Sequence, residues 1–168
     1  MGQNFASREG LLADRLLGIA EFGHAYWFFG NLYEVIVKIP HRVAAAEASR
    51  ELPRSPFGAG SPGRYYAPMA PFIAPAAIAA LAAGWNRIDS RPWLIAAAAG
   101  STSGAAATVY LLRNINPKLF FSPQPLSEMR RKPLLQRWYR VHAFRLAASA
   151  VALAAIHQAR IIRLKGRG

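Results

Sequence analysis

Two groups of polar side chains lie in stretches of this chain that are otherwise apolar. The first, in the run Leu16 to Val37, comprises Glu21, His24, Asn31 and Glu34. At about 100° per helical residue these four share one face with Trp27 and Lys38. The second comprises Trp138, His142, Arg145 and Ser149, which recur every three or four residues and so also line one face. Histidine and glutamate can move protons, while arginine and asparagine can stabilise a developing oxyanion. In a hydrocarbon setting such groups are costly, so both stripes are expected to look into a bundle or cavity. The plainer reading is polar pairing between helices that serves packing alone.

The elements holding these stripes read as membrane spans. About 20 apolar residues at ~1.5 Å each cover the hydrocarbon, and Leu16 to Val37 is long enough. Its opposite face, with Ile19, Phe22, Phe29, Leu32 and Ile36, suits lipid. The chain has 168 residues, 53% of them hydrophobic, and a formal charge of +13. Such a charge in a soluble domain would suggest nucleic acid. Here the basic residues fall between long apolar runs, as anionic headgroups and the positive-inside rule require, so no nucleic-acid partner is expected. The absence of cysteine excludes disulfides and thiolate metal sites. No cleavable signal peptide is visible, and Ala6 breaks the myristoylation pattern. Arginine exceeds lysine and alanine abounds, a composition that fits a GC-rich bacterial genome; the expected location is the bacterial cytoplasmic membrane.

The expected fold is all-α: one domain, a four-helix integral membrane bundle with spans near 16–37, 67–85, 92–112 and 141–157. Met1 to Arg15 reads as a polar lead-in. A polar excursion follows from His41 to Arg64, with a short helix expected at Val43 to Leu52 and a Pro- and Gly-rich loop from Pro53 to Gly63. Pro71 and Pro75 predict a kink or frayed start in the second span. Small residues from Gly100 to Ala105 predict close helix approach, with Ser101, Gly104 and Thr108 on one face serving packing more than chemistry. A second long loop is expected from Arg113 to Lys132, with Pro133 opening the last helix. Both long loops then lie on one side. They carry more basic residues than the other side, which favours a cytoplasmic position, whereas the basic tail argues for the reverse.

This topology sets depth. The first span ends, and the fourth begins, on the side of the long loops, so Glu34 and Arg145 lie at similar levels. Asn31, His142, Asn116 and Tyr66 converge on the same end, and a buried Arg145–Glu34 pair is expected. Glu21-x-x-His24 matches half of a di-metal motif. Glu21, His24 and His142 are the ligands a metal would use, although no second copy of the motif exists; haem between His24 and His142 is disfavoured by their depths.

Three segments carry a resemblance: Phe29-Gly30-Asn31-Leu32-Tyr33-Glu34, Asn114-Ile115-Asn116-Pro117-Lys118-Leu119, and the face Trp138, His142, Arg145, Ser149. On these the chain resembles the anthrone-oxygenase-like family of small four-helix integral membrane proteins. The resemblance implies an oxygenase that acts on a hydrophobic, electron-rich aromatic or polyketide-type molecule, with O₂ as co-substrate and no metal or flavin. His24, Glu34 or His142 would serve as base, and Arg145 and Asn116 would stabilise the enolate and peroxide. Trp27, Asn31, Tyr33, Trp138 and Ser149 would complete the substrate site, with Phe28 beside Trp27 and Tyr33 off the polar face. Two other functions stay open: a non-catalytic membrane subunit or assembly partner, and a small-molecule carrier. A carrier of four helices without an inverted repeat would have to form a homo-oligomer.

Overall fold

The computed structural model describes residues 2–38, 41, 62–122 and 126–166, and these are helical with short connections. In chain order the elements are α1 (Gly2–Ile36), α2 (Pro62–Tyr66), α3 (Ala70–Gly84), α4 (Arg91–Tyr110), a π-helical turn (Leu111–Ile115), α5 (Asn116–Phe120) and α6 (Glu128–Lys165). The long helices pack in a ring: α1 on α3, α3 on α4, α4 on α6, and α6 back on α1. Two stretches, Arg91–Phe120 and Glu128–Lys165, are long and apolar enough to cross a membrane.

The helix ends depart from expectation in ways the local chemistry explains. The stretch expected as a polar lead-in is helical from Gly2, because nothing before Ile36 breaks an i to i−4 ladder and no proline intervenes. The helix ends at Ile36, and in the turn that follows Lys38 adopts a positive φ of 52°. The second span is shorter than expected: Pro71 sits in the first turn of α3, where its missing N–H costs nothing, while Pro75 lies inside the helix. The third helix does not give way to a loop at Arg113. Asn116 N–H reaches back to the Leu111 carbonyl, and this wider turn carries the chain past Pro117 into α5. The last helix starts at Glu128, five positions before Pro133. Glu128 in its first turn and Arg163 and Lys165 in its last complement the helix dipole. The expected helix at Val43–Leu52 and most of the loop from Pro53 to Gly63 lie outside the described residues.

Two apolar clusters bracket the middle of the ring. One joins Leu17, Ala20, Ala80, Leu94, Ile156 and their neighbours; the other joins Leu111, Ile115, Leu119, Leu135 and Trp138. The same helices bury His24, Asn31 and Glu34 on α1 and His142, Arg145 and Ser149 on α6. Close contact there depends on glycine: a Cβ on Gly100 would stand 2.8 Å from the Ala148 carbonyl oxygen and 3.1 Å from the Ala152 nitrogen. Those are backbone atoms of α6, so they can move only if the helices separate.

Candidate active site

The expected ion pair forms. Arg145 Nη2 donates to Glu34 Oε2 at 3.0 Å, and both side chains are buried. The hydroxyl of Tyr66, the last residue of α2, is a further hydrogen-bond partner of the same carboxylate. Tyr66 also packs edge-on against Trp27, with ring centroids 4.7 Å apart.

His142 is locked beside this pair. Its Nε2 lies 3.0 Å from the Asn31 carbonyl oxygen, and its Nδ1 lies 2.6 Å from Arg145 Nη2. A carbonyl only accepts and a guanidinium only donates, so Nε2 carries the proton and Nδ1 offers its lone pair. Both nitrogens are thereby used, the side chain is fully buried, and Trp138 stacks on the ring at 4.4 Å and 13°. The lone pair of His142 faces a guanidinium, which cannot pass a proton on to it. Its 3.6 Å approach to Glu34 is then a contact with a neutral ring.

Other expected members of the cluster are engaged elsewhere. Asn116 Oδ1 accepts from Trp138 Nε1 at 3.1 Å, which fixes the indole over His142. Asn31 donates to the Trp27 carbonyl at 2.7 Å; among the described residues its Oδ1 is buried without a partner, as is Arg145 Nε. Tyr33 is 61% exposed, as expected for a residue one helical step off the polar face. Phe28 packs against Phe29. Asn114 is exposed and bonds the carbonyl of its own preceding turn.

The proposed metal ligands are separated as well. Glu21 pairs with His157 at 2.7 Å and with Arg160 at the opposite end of the ring. His24 bonds Ser101, and His142 is held as above. Among the described residues no group of three His, Asp or Glu side chains gathers.

His24 is where chemistry becomes available. Its Nδ1 lies 2.8 Å from the Ala20 carbonyl oxygen, so Nδ1 holds the proton of the neutral ring. Its Nε2 is then a lone pair, and the Ser101 hydroxyl donates to it at 2.5 Å. This pairing of α1 with α4 was not legible as chemistry, because Ser101 sits in a run of small residues that predicts packing. His24, Ser101, Trp27 and Ser149 all line one cavity of about 280 Å³ whose remaining walls are almost wholly apolar. The lining residues Ala70 and Pro71 on α3, Ala105 and Val109 on α4, and Leu112 in the π-helical turn are exposed, which puts the mouth between α3 and α4. Ser149 closes the inner side and donates to the Arg145 carbonyl at 2.8 Å, linking the cavity to the ion pair.

Protein-family models, curated proteins and solved structures yield no match to this chain. The assignment of a function therefore rests on the site itself and on the three segments of resemblance.

Proposed function

We propose that this chain is an integral membrane four-helix bundle and an oxygenase for hydrophobic, electron-rich aromatic molecules. Its membrane placement draws on the outward faces. All four long helices expose large apolar side chains, among them Phe22, Phe29, Phe72, Ile95, Phe144 and Val151, which water would not tolerate in such continuous array.

The observation that carries the catalytic reading is the His24 lone pair, oriented by a backbone carbonyl on the wall of an apolar cavity. Such a base can remove a proton from a CH₂ group flanked by aromatic rings, because the resulting carbanion is delocalised. The Ser101 hydroxyl, bonded to His24 and lining the same cavity, can relay that proton. The carbanion gives an electron to O₂ and a C–O bond forms. Proton return from His24 yields a hydroperoxide. Loss of the second C–H proton with cleavage of the O–O bond leaves a ketone and releases water. One O₂ is consumed per CH₂ converted to C=O, and no resident metal or flavin is required for the balance. Glu34, Arg145 and His142 are positioning residues here: they fix α1 against α6 so that Trp27 and Ser149 face the cavity.

The test is isotopic. Protein in lipid nanodiscs is given an anthrone under ¹⁸O₂, and the product is analysed by mass spectrometry. Faster formation of a ketone carrying one ¹⁸O than in empty nanodiscs supports the proposal. Product formation at the background rate overturns it, and accumulation of unaltered compound inside sealed vesicles would favour a carrier.

A further inference from the structure

Aromatic rings run in unbroken contact from the wall of the cavity to the outside of the bundle. Trp27, buried on α1, lines the cavity. Its indole meets the Tyr66 ring edge-on at 4.7 Å between centroids. Tyr66 meets Tyr65 at 5.0 Å, and Tyr65 stacks on Tyr26 at 4.3 Å and 11°. Tyr66 is buried, whereas Tyr65 is 45% exposed. The two tyrosines lie this close to α1 because residue 30 is glycine: a Cβ there would stand 2.7 Å from the Tyr65 ring and 2.9 Å from the Tyr66 hydroxyl. Packing alone would be served by phenylalanine at position 66. The phenol instead donates to the Glu34 carboxylate, so a proton acceptor is already in place at the middle of the run. Trp138, Tyr139 and His41 form another aromatic run, but none of the three lines the cavity.

We infer that Trp27, Tyr66 and Tyr65 form a radical relay that carries an oxidising equivalent from the cavity wall to the surface. Among side chains without sulfur, indole and phenol give up one electron most readily, and rings in contact exchange it fast. The source of the oxidant rests on the oxygenase reading. A substrate radical that escapes recombination adds O₂ and becomes a peroxyl radical. It takes an electron from Trp27 and a proton from His24, protonated in the first step, and becomes a hydroperoxide. Tyr66 then returns an electron to the oxidised indole and passes its phenolic proton to Glu34. Tyr65 in turn reduces Tyr66, which recovers its proton from Glu34, while Tyr65 releases its own proton to water. A reductant of the thiol class restores Tyr65 by giving it a hydrogen atom. The net effect is that a stray oxidant leaves the cavity without modifying its wall.

The experiment uses the intact protein in nanodiscs, under argon and without substrate. Ultraviolet light that excites tryptophan, with a cobalt(III) ammine complex as electron acceptor, generates indole radicals. A nitroso compound traps the tyrosyl radicals that follow, and tandem mass spectrometry maps the adducts. Tyr65 is expected to carry several-fold more adduct than Tyr33, which is 61% exposed and lies outside the run. Trp27→Phe and Tyr66→Phe each keep a ring in the contact but remove its easily lost electron. In both, the Tyr65 adduct is expected to fall several-fold, to the level of Tyr33, while the Tyr33 adduct is unchanged. Tyr65 trapping no greater than that of Tyr33 in the unaltered protein would overturn the inference, and so would trapping that either substitution leaves intact. Because the measurement needs neither O₂ nor anthrone, a working relay in a protein that consumes neither would uphold this inference while refuting oxygenation.

Discussion

Glu34 on α1 and Arg145 on α6 meet at 3.0 Å in the interior of the ring, with Tyr66 on the carboxylate and His142 on the guanidinium. The pair joins two helices 111 positions apart in the chain. Removing one partner leaves the other charge buried and unpaired, which costs about 3–5 kcal/mol. Arg145→Ala and Glu34→Ala are each expected to lower thermal stability in detergent strongly. The double variant should lose much less than the sum, a non-additivity of about 0.5–3 kcal/mol that a double-mutant cycle would measure.

His142 and His24 should separate by phenotype. His142 is locked by Asn31, Arg145 and Trp138, so His142→Ala is expected to cost about 2–4 kcal/mol of stability while the folded fraction keeps its turnover. His24→Ala should lower the turnover of the folded fraction by at least about 100-fold, the contribution of a positioned general base. Circular dichroism melts and turnover per folded molecule check both. A loss of turnover in folded His142→Ala would move the base to the ion-pair cluster.

Two glycines on α4 should differ sharply. Gly100→Ala drives a Cβ against α6 backbone at 2.8 Å, an overpacking worth about 1–3 kcal/mol. At Gly104 the nearest atoms to such a Cβ are 3.8 Å away, an ordinary contact. Gly104→Ala is therefore expected to be neutral or stabilising by about 0.4–1 kcal/mol, because alanine restricts the unfolded chain. Thermal melts of the two variants side by side decide it.

Much of this arrangement was legible in the chain. Helical spacing placed His24, Trp27, Asn31 and Glu34 on the buried face of α1, and left Ile19, Phe22 and Phe29 outside. Reasoning from topology to depth brought Glu34 to Arg145. The contact of Ser101 with His24 was not legible, because it depends on the rotation of α4 about its axis, which the Gly100–Ala148 approach sets. The continuation past Tyr110 was also hidden: Pro117 reads as a break, yet one wide turn absorbs its missing N–H and aims Asn116 at Trp138. The helix ends of α1 and α6 ran further than hydropathy indicated, since polar residues such as Arg and Glu are good helix formers that end an apolar run without ending the helix.

The most direct measurement is O₂ consumption, recorded with an oxygen electrode on nanodisc protein supplied with an anthrone, for the unaltered chain, His24→Ala and His142→Ala. The cavity account predicts uptake well above that of empty nanodiscs, one O₂ per anthrone lost, absent in His24→Ala and retained per folded molecule in His142→Ala. Uptake equal to the empty-nanodisc rate, or uptake untouched by His24→Ala, would contradict it.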